Sequence, residues 1–334
     1  MTEHPFAQFV RILGKGPRLS RPLTQQECQD AAAMILAGEV APEQLGAFFC
    51  LLRVKTETPE ELAGFAQAIR AALPKHAVSK YSRPPVDIDW PSYAGKARRA
   101  PLFILAALLL AQQGLTVAMH GAEGHTANRL FTEDALHALG ITPAPDLGRA
   151  ALDLAQHRFA YLPMGLFHPR LDELMDLKWL LGLRSPLHSV IRHLNPFDAP
   201  ASLISVFHPN YRAVHRDAAR LLGQKNLACF KGDGGEVERR VEKPCDVEGL
   251  RDGQPFDEEW PALLDASPSE SDLDPAWLAA LWKGEAEDPV AETIVAGTAA
   301  IALKLSGRAE SIDQAQHLAR KAWMARSRTL GHEP

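Results

Sequence analysis

Cysteine is scarce. Four stand at positions 28, 50, 229 and 245 of 334 residues, and no two form a C-x-x-C pair, so the chain shows neither a zinc knuckle nor a disulfide framework. Long apolar runs are lacking too. The most apolar, Leu102 to Ala111, is about half of what crosses a bilayer and reads as a buried helix. The opening MTEHPFAQF has no positive-then-apolar leader layout, so a cytoplasmic protein without a membrane partner is expected. H-E-x-x-H, G-x-S-x-G and Walker-type motifs are absent, and the 13 histidines find no carboxylate or cysteine at ligand spacing. No metal, no other cofactor and no catalytic nucleophile are expected.

What is present is a substantial apolar fraction, 46%, enough to fill a large core. Charge is unevenly spread. The whole chain carries −5, yet residues 246–288 hold 13 acidic residues against Arg251 and Lys283. That acidic insert carries −11, which leaves +6 on the remainder. Segregation of this kind either builds a positive face on an acidic protein or is simple surface solvation, and the sequence leaves both open.

The first 73 residues read as helical. Thr24 with Glu27 and Thr58 with Glu61 have capping-box spacing, and Pro59 suits a first helical position. A further helix is expected over Pro42 to Arg53. Beyond Pro74 the pattern changes to strand Val86–Asp89, helix Leu102–Gln113 and strand Leu115–Met119, a βαβ unit. Strands at Ser202–Phe207 and Leu227–Phe230 flank a helix over Tyr211–Leu222, and a basic helix closes the chain over Ser311–Arg328. The fold class is α/β with a parallel-rich sheet and a small all-helical N-terminal domain. Residues 246–288 are expected to form structured loops and short helices, because Phe256, Trp260, Trp277 and Trp282 need burial.

Ligands of open parallel sheets gather beyond the strands' carboxyl ends, where three loops qualify. Trp90 to Arg99 has a single glycine and three basic residues, Lys96, Arg98 and Arg99; those cations suit a polyanion met from the surface. His120-Gly121 ends a strand. Lys231 to Arg240 carries Gly232, Gly234 and Gly235 between Lys231 and the pair Arg239-Arg240, whose planar forks suit phosphate.

These residues carry a resemblance that covers nearly the whole chain. Leu23 to Val40 and Ala47 to Gly64 closely follow the first three helices of the anthranilate phosphoribosyltransferase family, of glycosyltransferase family 3 and the nucleoside phosphorylase class II fold. Gly182-Leu183-Arg184-Ser185 with Asn195-Pro196 is similar to its GxRT…NP segment, and Lys231 to Glu238 to its HGxxGxDE loop. The resemblance implies a helical domain of residues 1–73, joined by helices from about 165–185, through which two copies dimerise. It implies an α/β domain of residues 74–164 and 186–334.

The motifs that the family uses on phosphoribosyl pyrophosphate depart from its pattern. Asp89-Trp90-Pro91-Ser92-Tyr93 stands where the family has GTGGD, and Ala100-Pro101-Leu102-Phe103 where it has NxST. Met119-His120-Gly121-Ala122-Glu123 stands for KHGNR, His188 for an asparagine, and Val237 for the aspartate of the metal-binding pair, leaving Glu238. Each change removes a donor, a cation or a magnesium ligand that departure of pyrophosphate needs. Anthranilate phosphoribosyl transfer is therefore not expected. The chain instead resembles the family's divergent branch, whose bacterial homodimers bind DNA or RNA with little sequence preference. That resemblance implies backbone contacts from Lys96, Arg98, Arg99, Arg184, Arg192, Lys231, Arg239 and Arg240 around the former cleft. Trp90 and Tyr93 would stack on bases of a single strand, or Trp90 would fill space left by a lost ligand. His120, Gly121, Gly232, Gly234 and Gly235 are candidates for a residual anion cleft. A transferase or phosphorylase acting on another substrate is the alternative.

Overall fold

The computed structural model describes residues 2–74, 84–124, 126–266 and 273–329. Four helices open the chain: α1 (Ala7–Gly14), α2 (Gln25–Ala37), α3 (Pro42–Lys55) and α4 (Pro59–Ala72). Both expected capping boxes form, Thr24 with Glu27 on α2 and Thr58 with Glu61 on α4. Glu61 does more than cap its own helix. One carboxylate oxygen accepts from Thr58 N at 2.9 Å and the other from Leu23 N at 2.9 Å, so it also fixes the chain leading into α2. Gly64 lets α4 lie directly on α2, because a Cβ there would run into Gln25 O.

A sheet follows, built from β1 (Ile88–Ser92), α5 (Leu102–Gln112), β2 (Val117–Gly121), α6 (Thr132–Ala138), α7 (Leu147–His157) and β3 (Phe159–Pro163). Helices α8 (Arg170–Leu181) and α9 (Leu187–Val190) return to the helical layer. Leu171, Leu174, Leu187 and Ile191 join Phe48, Phe49 and Phe65 in one core, and the Arg170 guanidinium donates to Ile35 O. The chain re-enters the sheet with β4 (Ala201–Val206), α10 (Tyr211–Leu221) and β5 (Asn226–Lys231).

Strand order is β3-β2-β1-β4-β5-β6-β7, with β3 through β5 parallel. The last two strands, β6 (Cys245–Arg251) and β7 (Gln254–Trp260), run antiparallel. Here the expectation for the acidic insert is corrected: most of its first half is a hairpin extending the sheet. Its turn, Asp252-Gly253, has φ of 51° and 77°, the paired left-handed geometry that a two-residue hairpin favours. Trp260 and, on α11 (Pro275–Lys283), Trp282 are buried as the sequence requires. Helices α12 (Pro289–Leu305) and α13 (Ile312–Ala325) cover one face of the sheet with α5. Among the described residues, no helix is long and apolar enough to cross a membrane.

Candidate anion-binding cleft

Strand order reverses between β1 and β4, and a crevice opens beyond their carboxyl ends, where such sheets place ligands. The cleft has a volume of about 360 Å3. Ala94 lines it from the end of β1, Ser205 to His208 from β4, and Gly234 and Gly235 from the loop after β5. Helices close the other side with Ser185, His188, Ser189 and Arg192 around α9, Tyr211 and His215 on α10, and Arg53 on α3.

Its charge is one-sided. Arg53, Arg129, Arg184 and Arg192 line the cleft, and among the described residues none is ion-paired with a carboxylate. Arg129 donates to Ala94 O at 2.6 Å and Gly95 O at 3.0 Å, which points the loop after β1 into the site. Arg53 reaches the Tyr211 hydroxyl at 3.4 Å, and Arg192 the Gly235 carbonyl at 3.5 Å. Arg184 has no hydrogen-bond partner among the described residues. Burial lowers its pKa from the ordinary range, and the fields of Arg129, Arg192 and Arg53 lower it further. Burial likewise lowers that of Arg192, against a partly compensating pull from Glu236. Like charges gathered at a cost and left unneutralised call for an anionic ligand.

Beside this open cleft, backbone N–H groups and a lysine that could hold ionic groups are taken up by carboxylates of the chain itself. The Glu236 carboxylate is fully buried, and one oxygen accepts from Ala94 N at 2.6 Å and Gly95 N at 2.7 Å. Two adjacent backbone N–H groups form an anion nest, and a residue of the chain itself occupies it. Glu238 accepts from Phe103 N at 3.0 Å, at the N-terminus of α5, with one oxygen. Its other oxygen takes a hydrogen bond from Lys96 Nζ at 2.6 Å, and Lys96 also pairs with Asp233. Burial penalises the lysine charge, but Glu238 and Asp233 outweigh it and raise the Lys96 pKa. Among the described residues, no three His, Cys, Asp or Glu side chains are grouped to hold a metal ion.

Several residues expected to touch a ligand are not at the surface. Trp90 is completely buried in the sheet core, its side chain on the same face as those of Ile88, Val117 and Met119, so it fills space and offers no face to a base. Tyr93 is buried as well. Its hydroxyl meets His120 Nδ1 at 2.7 Å, His120 Nε2 meets Asp89 at 3.1 Å, and Ser202 donates to Asp89 at 2.8 Å. This chain of polar groups is sealed from solvent, and burial holds the Tyr93 phenol well above its ordinary pKa. It braces the ends of β1, β2 and β4. Gly121 belongs to that bracing, since a Cβ there would strike Ser92 O and the Tyr161 hydroxyl.

Lys96 is buried and committed to its two acids, and Arg239 is buried against Trp260 with a guanidinium bond to Pro261 O. Neither can meet a nucleic acid at the rim. Arg240 pairs with Glu242 at 2.6 Å. Arg98 and Lys231 are exposed and Arg99 is half-buried, but none of the three lines the cleft. Of the expected cations only Arg184 and Arg192 do, together with Gly234 and Gly235. Gly232 lies beneath, where a Cβ would clash with Glu236 O and Ser205 Oγ.

Residues 7–73 match the helical bundle domain of a glycosyl transferase family. Anthranilate phosphoribosyltransferase of Moorella thermoacetica is 28% identical over 313 residues, spanning 89% of this chain and 88% of that protein. The chain shares the fold of the crystal structure of anthranilate phosphoribosyltransferase from Thermus thermophilus, with a TM-score of 0.76 at 24% identity over 96% and 94% of the two chains. The chain is similar to anthranilate phosphoribosyltransferases along most of its length and shares their fold. An uncharacterized Escherichia coli K12 protein, YbiB, is 31% identical over 211 residues, a match spanning 62% of this chain and 64% of YbiB. The Saccharomyces cerevisiae enzyme in complex with PRPP and Mg has the same fold, with a TM-score of 0.74 at 17% identity over 97% and 94% of the chains.

Within this family-like frame, sequence reasoning missed Arg53, Arg129 and Phe207. Arg53 lies in a stretch similar to the family's third helix, but α3 alone gives no sign that it faces the cleft. Phe207 follows β4 directly and is 56% exposed, unusual for a phenylalanine and legible only once the strand end is located.

Proposed function

We propose that this chain binds the sugar–phosphate backbone of nucleic acid, single strands in preference to duplex and with little sequence preference, and does not transfer phosphoribosyl groups. The observation that carries the reading is the set of four arginines lining one cleft without a carboxylate partner among the described residues. Guanidinium forks match phosphate oxygens in pairs. Phe207 adds an exposed aromatic face at the cleft wall, and arginines combined with such a face make a stacking platform for splayed bases. A cleft of about 360 Å3 is on the scale of a small-ligand pocket, which favours a single strand over the bulk of a duplex. The filled nest and the lysine-neutralised acids argue against the parent reaction, which needs donors and a cation free for pyrophosphate.

Fluorescence anisotropy with a labelled single strand and its duplex, at low and near-physiological salt, tests this. Expected is tighter binding of the single strand, weakening linearly in log–log coordinates as salt rises. Arg184→Ala weakens binding and lowers the salt slope by about one, the signature of one lost phosphate contact. The protein turns over no anthranilate with phosphoribosyl pyrophosphate. Absence of binding at low salt, or binding insensitive to Arg184→Ala, refutes the reading.

A further inference from the structure

The loop after β5 holds more charge than the fold needs. Glu236 sits on two amides, Glu238 on the N-terminus of α5, and Lys96 between Glu238 and Asp233, all around one end of the sheet. In the related yeast enzyme, the bound species are PRPP and Mg. We infer that Lys96 and Glu236 are resident substitutes for those two ions, an ammonium standing for the divalent cation and a carboxylate for a phosphate group. The residues present therefore do not fit either ligand, and the site is closed to both by its own chain.

Three features support the assignment independently of the nucleic-acid reading. The first is reciprocity. Lys96 Nζ is buried and its two partners, the buried Glu238 and the half-buried Asp233, come from one loop, so a cation bridges two acids as a metal would. The second is the donor set of the nest. Ala94 N and Gly95 N converge on a single oxygen, and Gly95 has φ of 66°, the left-handed geometry that turns successive N–H groups to one side. The third is the backbone. Gly232 is in contact with Glu236 O, and Gly234 and Gly235 have φ of 67° and 92°, so the loop is wound tightly enough to carry Glu236 back onto β1's end. The second oxygen of Glu236 is buried without a hydrogen bond among the described residues. Such a position is costly for a carboxylate that only packs, and it is the expected cost of one that replaces a more highly charged group.

Charge removal tests the substitution. In the wild-type protein, Mg2+ or Mn2+ at millimolar concentration leaves the melting temperature unchanged. Lys96→Ala leaves Asp233 and Glu238 without their cation, so the protein melts several degrees lower in EDTA, and Mg2+ or Mn2+ restores at least half of the loss. If Lys96→Ala does not fold in EDTA, the readout is folding yield, which the same ions raise. Glu236→Ala opens the nest while keeping the lysine network. Calorimetric titration with pyrophosphate, both proteins also carrying Arg184→Ala to weaken the arginine cleft, then shows affinity about tenfold higher for Glu236→Ala. Glu236→Gln, whose amide oxygen still accepts from the two N–H groups, shows no gain. Stabilisation of the wild-type protein by Mg2+, no rescue of Lys96→Ala, or no gain from Glu236→Ala each overturns the inference. None of these outcomes bears on whether the arginine cleft binds nucleic acid.

Discussion

His215, on the wall of the cleft, and the buried His193 share a hydrogen bond of 2.8 Å. Burial, then the field of Arg192, pushes the His215 pKa down to about 3. Burial lowers His193 well below its usual value, with His215, Arg70 and Arg192 acting in the same direction. His215 stays neutral in the folded protein from pH 7.5 down to 5, whereas the unfolded chain takes up protons as pH falls through about 6.5. The unfolded state then binds more protons, so stability decreases with falling pH between about 6.5 and 3. The loss from one such histidine is on the order of 2 kcal/mol by pH 5. Urea midpoints measured from pH 7.5 to 5 will fall, and His215→Gln, which keeps a hydrogen-bonding side chain, will flatten the decline. Phe207 provides the second residue-scale prediction. Phe207→Ala removes a stacking face worth about 1–3 kcal/mol per base, so single-strand affinity drops while the salt slope stays unchanged. A drop in slope would mean that the residue positions an arginine and does not stack.

At the scale of elements, the helical opening is the part most legible in the sequence. Two capping boxes announce α2 and α4, and both form with the expected partners because a cap is a local interaction three residues long. The contact between those helices is less local. Gly64 is legible as a small residue in α4, but only the crossing shows that it lies on Gln25 O. Gly64→Ala is good for helix propensity and bad for this crossing; the clash is with backbone and cannot rotate away, so about 1–3 kcal/mol of destabilisation is expected. A lowered urea midpoint with unchanged far-ultraviolet dichroism will report it. The hairpin β6–β7 shows the opposite failure. Cys245 and Val247 pack on one face of the sheet and Leu250 on the other, and an Asp-Gly turn stands between the strands, but acidic residues are so dense in the stretch that it reads as solvated loop. The site is legible in the same uneven way. Arg184 stands in a segment similar to a family motif and Arg192 three residues before another, whereas Lys96 appears free until folding brings Asp233 and Glu238 to it across 137 and 142 residues.

At the scale of the whole molecule, the acidic insert and the basic body are not merely separate in sequence. Glu248 on β6 takes Arg212 at 2.8 Å and Arg216 at 3.8 Å, while Asp246 takes Arg212 at 3.1 Å and Asp257 takes Arg216 at 3.8 Å. Both arginines lie on α10, one residue after Tyr211 and His215, which line the cleft. The hairpin therefore neutralises the flank of the basic track without covering the cleft, to which it contributes no lining residue. Asp246 and Asp257 are exposed, whereas Arg212, Arg216 and Glu248 are half-buried; glutamine keeps the size of Glu248, so the substitution removes the charge without emptying the edge. Glu248→Gln frees Arg212 and Arg216 from their shared partner and adds positive field within a Debye length, about 8 Å at physiological salt, of α10's cleft-facing residues. Single-strand binding becomes several-fold tighter at low salt, with a steeper salt slope. The gain vanishes when Arg212→Ala and Arg216→Ala are added, because the effect acts through those side chains. Unchanged affinity in Glu248→Gln would mean that nucleic acid does not extend from the cleft along α10, confining the bound strand to the four arginines.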